Sequence, residues 1–313
     1  MEKQIIIDIG SGKTKSYIVY GDKSIKDLYS TRIRLKERYN PAAEGGINRE
    51  DKDALFDAIK KIKAEADKHN IKAINVFATS IFRIMPEDML AAFKAEFKQS
   101  TGLDFKVLSQ QEENELTTLP VSRLKLNAPY LAVCIGAGST EMAVFDNGKK
   151  TEDFTVEFAR ADLLKAFPNQ LGQDICNTEP EILRDFVRQN LTFPQTKCKY
   201  MVVVGGGALS KAEKCGFKMN KNSIFADKAM PSDCGYKGFI AETNKLLLNK
   251  TNAIPGDDLE SLRAHCIIAG CIMEAAGAEH LFMTNLNLMN GIVQSLGEKQ
   301  APTRDGPLAN SPR

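Results

Sequence analysis

The sequence predicts an α/β protein built from two copies of one unit, and three observations lead there. Its 313 residues suffice for two domains of ordinary size. Its composition, 43% apolar and 26% charged, is that of a globular chain. Above all, a strand–glycine turn–strand pattern occurs once in each half. The first copy runs Ile5-Ile6-Ile7-Asp8-Ile9-Gly10-Ser11-Gly12-Lys13-Thr14, then Ser16 to Tyr20. The second runs Leu131-Ala132-Val133-Cys134-Ile135-Gly136-Ala137-Gly138-Ser139-Thr140, then Met142 to Phe145. A slide of 126 positions superposes Ile9 on Ile135, Gly10 on Gly136, Gly12 on Gly138 and Thr14 on Thr140. Paired glycines leave no side chains over the turn, so successive N–H groups can point at an anion. Two such turns, one per half, predict a phosphate held between the copies.

Between the hairpins the pattern alternates as α/β elements do. Glu50 to His69 sets Leu55, Ile59, Ile62 and Ala66 on one helical face, with Asp51 and Asp53 near its start. Ile71 to Phe77 reads as a buried strand, and Pro86 opens a helix carrying Leu90, Phe93 and Phe97 on one side. Phe105 to Leu108 is a short strand, and a helix from Gln111 is broken by Pro120. The second half adds a strand over Met201–Val204 and a long helix from about Asp257 to Ala276, with Leu259, Leu262, Cys266 and Ala269 inward. This divides the chain into domains at 1–124 and 125–296. A tail at 297–313, with three prolines and no apolar period, is expected to be disordered.

Composition narrows the function. Forty-two Lys and Arg face 40 Asp and Glu, so the net charge is +2 and no bulk field calls for nucleic acid or membrane. Asp8 interrupts the first apolar run and no stretch reaches the ~18 apolar residues of a membrane helix, so a cytoplasmic protein is expected. Seven cysteines without a CxxC pair argue against a zinc ribbon or a disulfide framework. His69, His265 and His280 stand singly, which offers no metal cluster or histidine relay. Gly12-Lys13-Thr14 is not a P-loop, because the glycine that motif needs five residues earlier is Ile7, inside a strand.

Five segments occur in order: Asp8-Ile9-Gly10-Ser11, Ala78-Thr79-Ser80-Ile81-Phe82-Arg83, Leu108-Ser109-Gln110-Gln111-Glu112-Glu113, Ile135-Gly136-Ala137-Gly138-Ser139-Thr140-Glu141 and Val204-Gly205-Gly206-Gly207. Together they resemble the exopolyphosphatase and guanosine pentaphosphate phosphohydrolase family, a branch of the actin-like and sugar-kinase superfamily. Arg34-Leu35, Ile254-Pro255-Gly256 with Arg263, Ala269-Gly270 and Asn290-Gly291 agree, so the likeness runs to about Leu296 in the short, two-domain form.

The resemblance implies two ribonuclease-H-like domains with mixed sheets and flanking helices, and an active site in the cleft between them. There a phosphoanhydride is hydrolysed with a divalent ion, Mg²⁺ or Mn²⁺. By the likeness Glu113 activates the attacking water, although Gln110 replaces the glycine of the family stretch. Arg83 grips phosphate through a planar fork that lysine lacks. Gly10, Ser11, Gly12 and Lys13 of the first loop, Gly136, Ala137, Gly138 and Ser139 of the second, and Gly206 and Gly207 complete the phosphate site, while Asp8 and Glu141 hold the metal. Taken alone, Glu112, Glu113 and Glu115 also read as the solvated first turn of a helix, Arg83 as a helix-flanking arginine, and Ser11 and Ser139 as turn residues.

Three departures stand out. Cys134 occupies the place of a metal-holding Asp, and a thiol with pKa near ~8.5 serves a hard cation poorly. Ala208 replaces a threonine, and His265 stands where the family has Asp. The expected activity is release of terminal phosphate from inorganic polyphosphate or from a guanosine penta- or tetraphosphate-type nucleotide. The alternative is a protein that binds these anions but, through Cys134, has lost turnover. A sugar or acetate kinase on the same fold is a third reading, against which the Glu112-Glu113 segment argues. Nucleic acid and membrane are not expected partners, and the family likeness points to a homodimer.

Overall fold

The computed structural model describes residues 3–42, 46–168, 175, 178–205, 209–215, 217, 220–221, 232–248 and 256–298. Two sheets form its frame. The first holds β1 (Gln4–Ile9), β2 (Lys13–Val19), β3 (Ile25–Arg32), β4 (Ala73–Ala78) and β5 (Lys106–Val107) in the order β3-β2-β1-β4-β5. The second holds β6 (Tyr130–Ile135), β7 (Thr140–Asp146), β8 (Lys149–Val156), β9 (Tyr200–Val203), β10 (Asn220–Lys221), β11 (Ser232–Gly235) and β12 (His280–Met283) in the order β10-β11-β12-β9-β6-β7-β8. Read from β8, the second sheet repeats the first before adding antiparallel β11 and β10: an antiparallel meander, then two parallel steps, β6 to β9 to β12 as β1 to β4 to β5. These are duplicated ribonuclease-H-like domains.

The repeat holds to the residue. Ile9 pairs with Thr14 and Asp8 with Lys15; 126 positions on, Ile135 pairs with Thr140 and Cys134 with Glu141. One hydrogen bond closes each turn: the Gly10 N–H donates to the Lys13 carbonyl at 3.0 Å, and the Gly136 N–H to the Ser139 carbonyl at 2.9 Å.

Helices cover the sheets where the apolar periods require. In the first half these are α1 (Arg49–Lys68), α2 (Glu87–Thr101) and α3 (Gln110–Thr118). Helix α1 begins where the Asn48 side chain accepts the Asp51 N–H at 2.8 Å. It packs Leu55, Ile59, Ile62 and Ala66 against Ile5, Ile7 and Ile9 of β1. Helix α2 adds Phe93 and Phe97 to that core and ends at Gly102, whose φ of +71° suits glycine. In the second half α4 (Arg160–Ala166), α5 (Pro180–Asn190), α6 (Tyr236–Leu248) and α7 (Gly256–Ala276) contribute to the core facing Leu131, Val133 and Ile135. The last helix, α8 (Leu288–Glu298), returns to the first sheet. Its Met289, Ile292 and Val293 pack on Ile6, Tyr17 and Val19, the face opposite α1.

Some boundaries differ from the sequence reading. Strand β4 starts at Ala73 rather than Ile71, because the chain first leaves α1 through Asn70 in a left-handed conformation, φ +54°. Pro120 does not break α3 abruptly; it sits in the first turn of a 3₁₀ segment over Leu119–Val121, where its missing N–H costs nothing. Helix α8 takes in the first two positions of the expected tail, and the rest of the tail lies outside the described residues.

Candidate active site

Strand alternation puts the chemistry on one face. In β1, Ile5, Ile7 and Ile9 turn to the α1 core, so Asp8 shares the opposite face with Ile6. In β6, Cys134 likewise shares a face with Tyr130 and Ala132. Both face a cavity of about 360 Å³ that is also lined by Glu113, Glu141 and both glycine loops, Gly10 to Lys13 and Gly136 to Ser139.

The loops meet in the cleft. A Cβ on Gly12 would lie 2.7 Å from the Cβ of Ala137, and one on Gly138 would run into the side-chain oxygens of Ser11 and Ser80. These glycines thus permit the two domains to approach as well as baring backbone amides. Ser11 is engaged here: its hydroxyl accepts the Ile81 N–H at 3.2 Å. Lys36, buried, straps the domains together by donating to the Gly138 carbonyl, to the Glu157 carbonyl at 3.0 Å and to Asp162 Oδ2 at 2.9 Å. Ser80 is held with φ +35°, a strained setting for a residue other than glycine. Its hydroxyl donates to Glu157 Oε2 at 2.8 Å across the same cleft.

Glu113 owes its position to α3. The Glu112 N–H donates to Ser109 Oγ at 3.1 Å and the Ser109 N–H to Glu112 Oε2 at 2.9 Å, a reciprocal cap that starts the helix one residue before Gln111. Ser109-x-x-Glu112 is the sequence signal for it. The cap keeps Glu112 outside, while Glu113 turns inward and is 8% exposed. Asn114, fully buried, ties the helix to the second sheet by donating to the Met142 carbonyl at 3.1 Å and to Asp153.

Arg83 is placed differently from the expectation that it faces phosphate. It does not line the cavity. Its Nη1 donates to Glu113 Oε2 and its Nε to Glu157 Oε1, each at 2.5 Å, and Nη1 also meets the Leu108 carbonyl at 3.2 Å. Burial pushes the Glu113 carboxyl up to about 7, against the pull of Arg83.

The cavity lining carries both signs of charge in two groupings. One gathers Asp8, Glu113 and Glu141, whose carboxyls are all raised, chiefly by burial, with Lys15 opposite Asp8 in the strand register. The other gathers Lys13, Arg32 and Lys211 around Asp258, which pairs with both Arg32 and Lys211. Sequence reasoning missed Arg32, Lys211 and Arg160, which no local motif marks. Glu141 Oε1 is buried and makes no hydrogen bond. Burial also raises the Cys134 thiol well above its usual value, so it stays protonated. Among the described residues no three His, Cys, Asp or Glu form a closed ligand set. Asp8 and the orphan oxygen of Glu141 nevertheless suit Mg²⁺, which is held by one or two carboxylates with water and phosphate oxygens completing its shell. Gly205, φ +84°, lines the cavity, while Gly206, Gly207 and Ala208 lie outside the described residues.

Residues 29–294 match the profile of the Ppx/GppA phosphatase family. The chain belongs to that family. Among solved structures, the fold is similar to that of the Ppx/GppA family member from Aquifex aeolicus, with TM-score 0.70 and 16% identity over 95% of this chain and 98% of that one. An exopolyphosphatase from Cytophaga hutchinsonii gives TM-score 0.70 and 15% identity over the same shares. An exopolyphosphatase-like protein gives 0.72 and 18% over 95% and 99%. No curated protein matches the sequence. Among the described residues of this Ppx/GppA chain, no helix is long and apolar enough to cross a membrane.

Proposed function

We propose that this protein hydrolyses the terminal phosphoanhydride of inorganic polyphosphate or of a guanosine pentaphosphate-type nucleotide. The two charge groupings of the cavity carry this reading: Asp8, Glu113 and Glu141, with Lys15 beside them, for water and the terminal phosphoryl group, and Lys13, Arg32 and Lys211 for the rest of a polyanion. Glu113 takes a proton from the water whose oxygen attacks the terminal phosphorus. The bond to the bridging oxygen breaks, and the shortened anion leaves. A carboxyl near 7 matches a general base at neutral pH, for roughly 10²–10⁴ in rate. Arg83 positions Glu113 rather than touching the substrate. Backbone N–H groups of the two glycine loops stabilise the phosphoryl oxygens as their charge redistributes. Asp8 and Glu141 would hold Mg²⁺ or Mn²⁺, which neutralises phosphate charge when bound.

The protonated thiol of Cys134 favours a second reading, a regulatory protein that binds these anions without turning them over. Release of phosphate from polyphosphate, tripolyphosphate and guanosine pentaphosphate, with Mg²⁺ and Mn²⁺ in parallel, decides between them. Metal-dependent release supports the enzyme. Binding without release under every condition rejects it.

A further inference from the structure

Arg160 has no role in the reading above. It opens α4, lines the same cavity, and is fixed at two points. Its Nε donates to the Gly136 carbonyl at 2.7 Å, and its Nη1 to the Ser261 hydroxyl. Its Nη2 makes no hydrogen bond to the described residues, and no carboxylate among them pairs with it. Of the other cations nearby, Arg83 is matched by Glu113 and Glu157, Lys36 by Asp162, and Arg32 and Lys211 by Asp258. Lys13 and Lys15 line the cavity without an ion pair among the described residues, but they are not fixed in place by hydrogen bonds as Arg160 is. Near it on α7, His265 is 1% exposed with both ring nitrogens unpartnered among the described residues. Burial and then Arg160 itself hold that ring neutral, so it cancels no charge. From β6, the neighbouring Cys134 is an uncharged thiol.

An oriented, largely enclosed cation with no carboxylate in ion-pair range, Glu37 acting on it only from further off, is costly for the free protein. It is oriented by the carbonyl of the very loop expected to cradle phosphate, and it lines the cavity with Cys134, Arg32 and Glu37 as its electrostatic neighbours. We propose that the Arg160 guanidinium binds a phosphoryl group of the substrate next to the one under attack, and so selects anions with consecutive phosphoryl groups. This rests on the phosphatase reading and adds to it a charge-matching residue outside the family-like motifs.

The test uses the full chain carrying Glu113→Gln, so that tripolyphosphate binds without turnover. Its affinity is read by calorimetry, beside the melting temperature of the anion-free protein. Arg160→Met is expected to weaken tripolyphosphate by about tenfold or more, the worth of a charge-assisted hydrogen bond. The anion-free variant should melt no lower than its parent, because an unmatched charge has gone. Arg160→Lys, which keeps the charge without the fork, should lose affinity several-fold and fold normally. Unchanged affinity in both variants overturns the proposal and leaves the phosphatase reading standing. So does a fall in melting temperature with Arg160→Met while Arg160→Lys binds like the parent, which would make Arg160 a strut. If the parent itself binds no tripolyphosphate, the phosphatase reading fails and this proposal with it.

Discussion

Replacing Arg83 by methionine separates the two tasks open to a guanidinium beside Glu113. In the structure Arg83 donates to Glu113 and to Glu157, each at 2.5 Å, and does not itself line the cavity. Burial holds the Glu113 carboxyl at about 7 while Arg83 pulls it down. An opposite charge at this range lowers a carboxyl by roughly one to three pH units. Arg83→Met should therefore move the acidic limb of the pH–rate profile from about 7 to roughly 8–10. At pH 7 the ionised fraction of Glu113 then drops from about half to between roughly a tenth and a thousandth. The rate at that pH falls roughly 5- to 500-fold and recovers in alkali. Arg83→Lys keeps the charge and should return the limb most of the way. The assay is phosphate release from tripolyphosphate between about pH 5.5 and 10, with kcat and KM resolved at each pH. A limb that stays near 7 while KM rises at every pH would refute the argument, because Arg83 would then grip the substrate itself.

Glu113→Gln should lower turnover by roughly 10²–10⁴ while tripolyphosphate still binds, since the amide keeps the shape but accepts no proton; a loss under tenfold in phosphate release would remove Glu113 from the chemistry. The folded protein holds the Glu113 proton more tightly than an ordinary carboxyl at 4.5, so its stability should fall as pH rises from about 4.5 to 7. Glu113 alone accounts for roughly 3 kcal/mol of that fall, Asp8 and Glu141 act in the same direction, and urea midpoints that instead rise with pH across this window would contradict it. Gly138→Ala drives a Cβ into Ser11 and Ser80, and should cost roughly 1–3 kcal/mol and weaken anion binding; a variant with unchanged melting and affinity would show that the loops need not touch. Cys134→Asp should lower the Mg²⁺ concentration that supports half-maximal activity, more than that of Mn²⁺; if it melts lower without metal and gains nothing from Mg²⁺, no ion is held at that position.

Local patterns carried much of this fold. The repeated glycine hairpins predicted the duplication, and both pair in the same register, because a tight turn is set by the residues in it and the strands it joins. The apolar periods of α1, α2 and α7 predicted helices, since burial of one face needs only spacing along the chain. The edge strands β3 and β8 escaped notice: they are largely polar and at most half-buried, so alternation is weak in them. The segments that gather Asp8, Glu113, Glu141 and the two loops were also legible in order, and the fold brings them to one cavity.

What only the tertiary structure decided is which groups meet. Arg83 reads in the sequence as a phosphate-gripping arginine, yet its fork closes on Glu113, 30 positions on, and Glu157, 74 positions on. Lys36 reaches Gly138 and Asp162 across 102 and 126 positions, and Arg160 reaches Ser261 across 101. Composition and spacing report a charge but not its partner, since pairing over such separations depends on how the two domains dock. Burial is decided in the same way. Glu112 and Glu113 are neighbours of identical chemistry, and the docking of α3 between the sheets leaves one in solvent and encloses the other, with its carboxyl raised to about 7.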